Sequence, residues 1–203
     1  MKKNLYFVFI AASFALLAAA PGRLAYGLPL IIEINLLMAA GSFFQSFIKK
    51  FDMGGLCDIL TLSFIVFMAA LFKQILVLFS PVLALTLSFC VYIPALSVYL
   101  LGSVFSEHGG SVSKNAESAM WFSAFALTFF LLRDIFGFGT VTIPIPNGIK
   151  EALLFNADKT AFLSFFATVP GALAILTLCM SFLLAVQMKM NAIENAGGAD
   201  ENN

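Results

Sequence analysis

Long apolar runs separated by short polar breaks make up nearly the whole chain. The runs cover residues 5–20, 28–47, 56–79, 82–101, 118–136 and 160–188. Each is close to the length that crosses a bilayer core of roughly 30 Å as a helix, at about 1.5 Å of rise per residue. The pattern predicts an all-α integral membrane protein with six transmembrane helices in one domain, residues 1–203. A closed membrane barrel would instead show short segments of alternating polarity.

The breaks carry the turn chemistry. Lys49-Lys50-Phe51-Asp52 and Gly54-Gly55 close the second run, and Ser80-Pro81 separates the third from the fourth. Residues 107–117 form a polar loop. The longest connection, residues 138–159, has turn signals at Pro144, Pro146 and Asn147-Gly148, with a short interfacial helix predicted over 149–155. Residues 191–203 have the composition of a frayed tail. Pro94 lies inside the fourth run and removes a backbone hydrogen bond there, which predicts a kinked or discontinuous helix. Pro170-Gly171 interrupts the last run. Transporters place such breaks near a midplane site, and six spans divide into the three plus three that an inverted repeat requires.

The first run, preceded by Lys2-Lys3 and ending in Ala18-Ala19-Ala20-Pro21-Gly22, has the features of a cleavable signal peptide. A retained first span is the reading adopted, because removal would leave an odd set of five. The basic pairs Lys2-Lys3 and Lys49-Lys50 favour an N-in, C-in orientation, with Lys114 and Lys189 on the same side; Arg23, Lys73, Arg133, Lys150 and Lys159 fall toward the other.

Composition agrees with the pattern. The chain is 61% hydrophobic and 11% charged, which is too little polar surface for a soluble globule. A net charge of +0 offers no electrostatic basis for binding nucleic acid. Cys57, Cys90 and Cys179 have no metal-ligand spacing, and their odd number makes no disulfide framework, so they read as free thiols. A lone His108 excludes a multi-histidine site within one chain. No phosphate loop, nucleophile–base pair or paired-carboxylate pattern is present, so no active site of its own is expected.

Charges within the apolar runs are the candidates for chemistry. Glu33 and Lys73, on antiparallel neighbours, fall roughly 8 to 9 Å below the same membrane face and can meet as an ion pair. That pair reads as part of an ion or proton path, or as a lock between two helices, or Lys73 snorkels alone. Arg133 and Asp134 end the fifth run; adjacent helix positions point about 100° apart, so each needs its own partner, in this chain or on another subunit. Glu107 with His108 could serve a partner or relay a proton, with a solvated loop as the bland reading. Gly54-Gly55-Leu56-Cys57 puts a thiol where backbone N–H groups could favour a thiolate, but Asp58 opposes it and one cysteine supplies one ligand.

Leu132-Arg133-Asp134-Ile135-Phe136-Gly137-Phe138-Gly139-Thr140 resembles the stretch after the fifth span of the six-helix membrane subunits of the Rnf and Nqr respiratory complexes. Val169-Pro170-Gly171-Ala172 is similar to that family's Pro-Pro-Gly-Ala, and Tyr92-Ile93-Pro94 with Glu107 follows its spacing. The resemblance implies two sister six-helix subunits, each an inverted repeat with broken helices, working with flavin-bearing subunits in a bacterial cytoplasmic membrane. It also implies cysteine thiolates from the first and fourth spans holding a shared [2Fe–2S] cluster, with electron transfer coupled to Na⁺ or H⁺ movement. This chain departs from that pattern. Ser13-Phe14 or their neighbours stand where the first thiolate belongs, and Leu100 where the second does. Cys90 is about 15 Å along the helix from that place. The expectation is a scaffold and ion path that does not ligate the cluster itself. A small-solute permease component and a plain structural membrane protein are the alternatives.

Overall fold

The computed structural model describes residues 13–15, 17–51, 56–106, 112–146, 148–154 and 164–200. Its helices are α1 (Leu24–Ile48), α2 (Leu56–Phe79), α3 (Pro81–Leu87), α4 (Ile93–Ser106), α5 (Val112–Phe138) and α6 (Val169–Asp200), and its strands are β1 (Thr140–Ile145) and β2 (Gly148–Leu153). Short 3-10 turns lie at Lys49–Phe51, Cys90–Tyr92 and Ser164–Ala167.

Among the described residues three helical segments are long and apolar enough to cross a membrane: Leu24–Phe51, Leu56–Phe79 and Ala119–Phe138. The count is four if the bent pair Pro81–Leu87 and Cys90–Tyr99 makes one span. α2 matches its predicted run. α1 starts four residues earlier than expected, at Leu24. Most of the first predicted run lies outside the described residues; its described end packs on α5, where Phe14 stacks on Phe122 with ring centroids 4.5 Å apart. The last helix contains the described apolar stretch Val169–Phe182, and it continues through Asp200 where a frayed tail was expected.

The lipid-type surface is visible in the side chains. α2 buries only Thr61, Ile65, Ala69 and Leu76, while Phe67, Ile75 and Leu78 stand exposed, the last at 86%. Apolar surface on this scale needs hydrocarbon or another apolar partner. α1 is the central element. It touches α2, α4, α5 and β1, and Leu30, Ile34 and Leu37 along it are fully buried.

The fourth run is discontinuous, as expected, but the break lies upstream of Pro94. Its axis turns by 77° at Ser88-Phe89, and Pro94 sits in the first turn of α4. Proline is tolerated in a first turn, where its missing N–H would have no partner, whereas its ring would clash with the carbonyl four residues back, at Cys90, in a continuous helix. The break therefore forms upstream, with Ser88 at φ 31°.

The chain is also not all helix. Residues 149–153, expected as an interfacial helix, are β2, paired antiparallel with β1 in the register Thr140↔Leu153, Thr142↔Glu151, Pro144↔Ile149. Thr140, Val141, Thr142, Ile143 and Ile145 are β-branched, and Asn147-Gly148 is a strong hairpin signal. Gly148 has φ 139°, a conformation that side chains rarely allow.

Gly27 carries the α1–α5 contact: a Cβ there would lie 2.3 Å from the ring of fully buried Phe130. Gly27→Ala should therefore separate the helices and lower stability by about 1 to 3 kcal/mol, the usual cost of overpacking. Thermal unfolding in detergent checks this.

Candidate functional site

The chain turns sharply at residues 20–24, between the first helical segment and α1. Arg133 and Asp134, both essentially fully buried near the end of α5, hold the two sides of that turn. Arg133 Nη1 donates to the Ala20 carbonyl at 2.9 Å. Its Nη2 donates to the Ala167 carbonyl at 3.2 Å, and the guanidinium lies 5.6 Å from the Phe129 ring centroid. The cation is thus set against carbonyls at the ends of helical turns, where partial negative charge collects.

Asp134 reads the opposite polarity. Its Oδ2 accepts from the Leu24 N–H at 3.1 Å, the Thr142 N–H at 2.8 Å and the Thr142 hydroxyl at 2.7 Å. Its Oδ1 accepts from the Thr140 hydroxyl at 3.0 Å. The Thr142 Oγ1 in turn accepts from the Ala25 N–H at 3.0 Å. The first N–H groups of α1 have no partner within the helix, and Arg23 supplies no side-chain cap, so a carboxylate more than 100 residues away caps the helix.

Two glycines admit this packing. A Cβ at Gly22 would meet the Ala167 carbonyl oxygen at 3.0 Å, and one at Gly137 would meet the Ala167 nitrogen at 2.8 Å. Gly139, at φ 68°, turns the chain from α5 into β1. On the rim Arg23 pairs with Glu151 of β2 and lies 5.0 Å from the centre of the Phe138 ring. Neither the Arg23–Glu151 pair nor the two threonines was expected from sequence. The β-branched run from Thr140 was the signal available for the threonines.

The sequence expectation that Arg133 and Asp134 diverge agrees with this geometry. The partners of the Arg133 Nη atoms and of the Asp134 carboxylate, however, come from this chain's own backbone and hairpin, while Arg133 Nε is buried without a partner among the described residues.

Glu33 is the contrasting site. It is fully buried on α1, and neither carboxyl oxygen has a hydrogen-bond partner among the described residues. It lies nine residues beyond Leu24, about 14 Å along the axis of a helix long enough to cross a membrane. The α1–α2 register is fixed by Phe44, whose ring stacks on Phe64 at 4.0 Å, and by Gly41, which abuts Ile65. Extended up two antiparallel helices, that register brings Glu33 level with Lys73 to within two residues, about 3 Å of rise.

The two are level but do not pair. Lys73 Nζ instead lies 5.3 Å from the centre of the Tyr92 ring, at the break between α3 and α4. The hydroxyls of Ser80, just before α3, and Ser97, within α4, are also buried without a hydrogen-bond partner among the described residues. Cys57 and Cys90 are half-buried free thiols and Cys179 an exposed one. No group of three or more His, Cys, Asp or Glu side chains that could hold a metal occurs among the described residues. Glu107 and His108 lie outside them. No family model, curated protein or solved structure matches the chain.

Asp134→Ala would leave two N–H groups and two hydroxyls without their acceptor and Arg133 without its adjacent anion. It should cost about 3 to 5 kcal/mol, the range for breaking a buried ionic network. Unfolding by SDS titration in mixed micelles measures the loss, and Arg133→Lys, which keeps the charge but loses the fork, should cost less.

Proposed function

We propose that this chain is a membrane subunit of an Rnf/Nqr-type ion-translocating electron-transport complex, contributing scaffold and part of the ion path without ligating an iron–sulfur cluster. The carrying observation is Glu33: a buried carboxyl without a hydrogen-bond partner among the described residues, nine residues into a helix long and apolar enough to cross a membrane, in a helix bundle that includes a broken span. Intramembrane ionisable groups are costly, and where they persist without a structural partner an ion or proton pathway is the leading reading.

Support for the complex type comes from the resemblance and from where its residues lie. The segments 132–140 and 169–172 are separate in sequence, yet Arg133 and Gly137 both meet Ala167, just before α6, and Gly171 packs against the Phe165 carbonyl. Six spans in two inverted repeats, N-in and C-in, in a bacterial cytoplasmic membrane remain part of the proposal. The bend in the fourth span favours it, as does the packing of Phe14 on α5.

Among the described residues, Cys57 and Cys90 do not stand together. Cys57 opens α2, while Cys90 adjoins Tyr92, which Lys73 reaches from sixteen residues further along the same helix. That separation is about 24 Å, so the two thiols cannot share one cluster.

The test is purification of the full chain in mild detergent, with identification of co-purifying subunits and analysis of flavin and iron. Flavin-bearing and sister six-helix subunits support the reading. A protein that comes alone and is stabilised by a small solute supports a permease component instead. In the assembled complex Glu33→Gln should abolish ion coupling while Cys57→Ser leaves it intact. Glu33→Leu, which removes an unpartnered buried polar group, should raise stability by about 1 to 3 kcal/mol. Equal coupling in wild type and Glu33→Gln removes Glu33 from the path.

A further inference from the structure

The geometry points to Lys73 as an internal counter-ion of Glu33, which moves between the Tyr92 ring and the Glu33 carboxylate as the transported cation occupies and leaves that site. The inference rests on the reading of Glu33 as an ion-binding carboxyl and adds the group that would discharge it.

The argument begins with a census of charge. α1 carries one charged residue, Glu33, besides Tyr26; α2 carries Asp58 and Lys73 besides Cys57; α3, α4 and the turn between them carry no acid or base except Cys90 and the tyrosines. Asp58 is exposed in the first turn of α2, fifteen residues from Lys73, about 22 Å away along the axis. On α5, Arg133 and Asp134 are committed to the turn at residues 20–24 and to the hairpin. At the depth of Glu33, Lys73 is therefore the one described charge of opposite sign that is not already held by another group.

The register makes them neighbours in height, on helices that pack directly. Two opposite charges, level and unpaired in the same bundle, would each be stabilised by meeting. That they do not meet here identifies a second position for the lysine. The Tyr92 face is such a position. Cation–ring attraction holds an ammonium by about 0.5 to 2 kcal/mol, far less than a desolvated carboxylate would, so the balance can be tipped by whatever neutralises Glu33. With a proton or metal cation on Glu33, Lys73 rests on Tyr92. When that cation leaves, the flexible four-carbon stem can carry the ammonium toward the exposed negative charge. Because Tyr92 belongs to the break in the fourth span, the exchange would also change the contacts of the bent segment with α2. Emptying the site would thereby be coupled to that bend.

The test uses the purified full-length protein in liposomes and a hydrophobic carbodiimide, which modifies protonated carboxyl groups in apolar surroundings; modification of Glu33 is read by peptide mass spectrometry. Lys73→Gln should speed modification at least fivefold, because a deprotonated Glu33 then lacks its counter-ion and takes up a proton instead. Lys73→Arg should remain near the wild-type rate. Tyr92→Leu should slow modification, since losing the ring releases Lys73 toward Glu33. A general loosening of the fold would speed all three variants. If Lys73→Gln and Tyr92→Leu both react at the wild-type rate while added Na⁺ or raised pH still protects Glu33, the counter-ion role is overturned and the ion-binding reading stands. If neither Na⁺ nor raised pH protects Glu33 in any variant, the ion-binding reading falls and the counter-ion role with it.

Discussion

The capture of the turn at residues 20–24 by Arg133 and Asp134 is the constraint on which the described structure depends. Two adjacent side chains of opposite charge leave α5 in different directions and find the two ends of one chain reversal, the Ala20 carbonyl on one side and the Leu24 N–H on the other. A helix leaves unpaired carbonyls at its end and unpaired N–H groups at its start. At an apolar membrane face water is scarce, so those groups must be met by protein. A cation for the carbonyls and an anion for the N–H groups is a solution that also keeps the pair neutral. The hairpin is recruited into the same network through Thr140 and Thr142, so the connection after α5 folds back over the start of α1 instead of extending away.

Fixing the start of α1 fixes the depth of everything on it. Glu33 lies nine residues further along the central helix, whose packing on α5 is close enough to require glycine at position 27. The contrast between the two buried carboxyl groups separates structure from function. Asp134 accepts four hydrogen bonds and sits beside a cation, so its burial is compensated in full. Glu33 accepts none. An unmet carboxyl deep in a bundle costs stability by the measure of any buried polar group, and a leucine there would be the better structural choice. A glutamate there fits the proposed ion site better than a purely structural role.

How much of this could be read from sequence follows from the nature of each interaction. Apolar run length is a one-dimensional property, and the run at 56–79 became α2 without adjustment. The level placement of Glu33 and Lys73 was legible because helical rise is constant; their failure to pair was not, because Tyr92 enters from a bend whose position depends on Pro94 excluding helix upstream of itself. The divergence of Arg133 and Asp134 followed from their adjacency on a helix. Their partners could not be read, since backbone carbonyls and N–H groups are the same at every residue and only the folded turn selects Ala20, Leu24 and Ala167. The hairpin was missed for a different reason. Pro144, Pro146 and Asn147-Gly148 all read as turns, and the β-branched residues at 140–143 and 145 become a strand only once their partners at 148–153 are paired with them.

The segments that resemble the Rnf/Nqr subunits lie mainly in the knot around Ala167, while the positions where that family would place its cluster thiolates carry other residues. On the proposed function this division is physically coherent. A cluster needs thiolates converging within bonding distance, and Cys57 and Cys90 lie at opposite ends of the α2 stretch that reaches Tyr92. An ion path needs a buried charge whose occupancy can change, together with a nearby element able to respond to the change. Glu33 supplies the first, and the bend at Ser88-Phe89, reached through Lys73 and Tyr92, supplies the second. The same knot that makes the scaffold rigid at residues 20–24 leaves the broken span free of charged anchors, so motion driven by a single charge would be concentrated there.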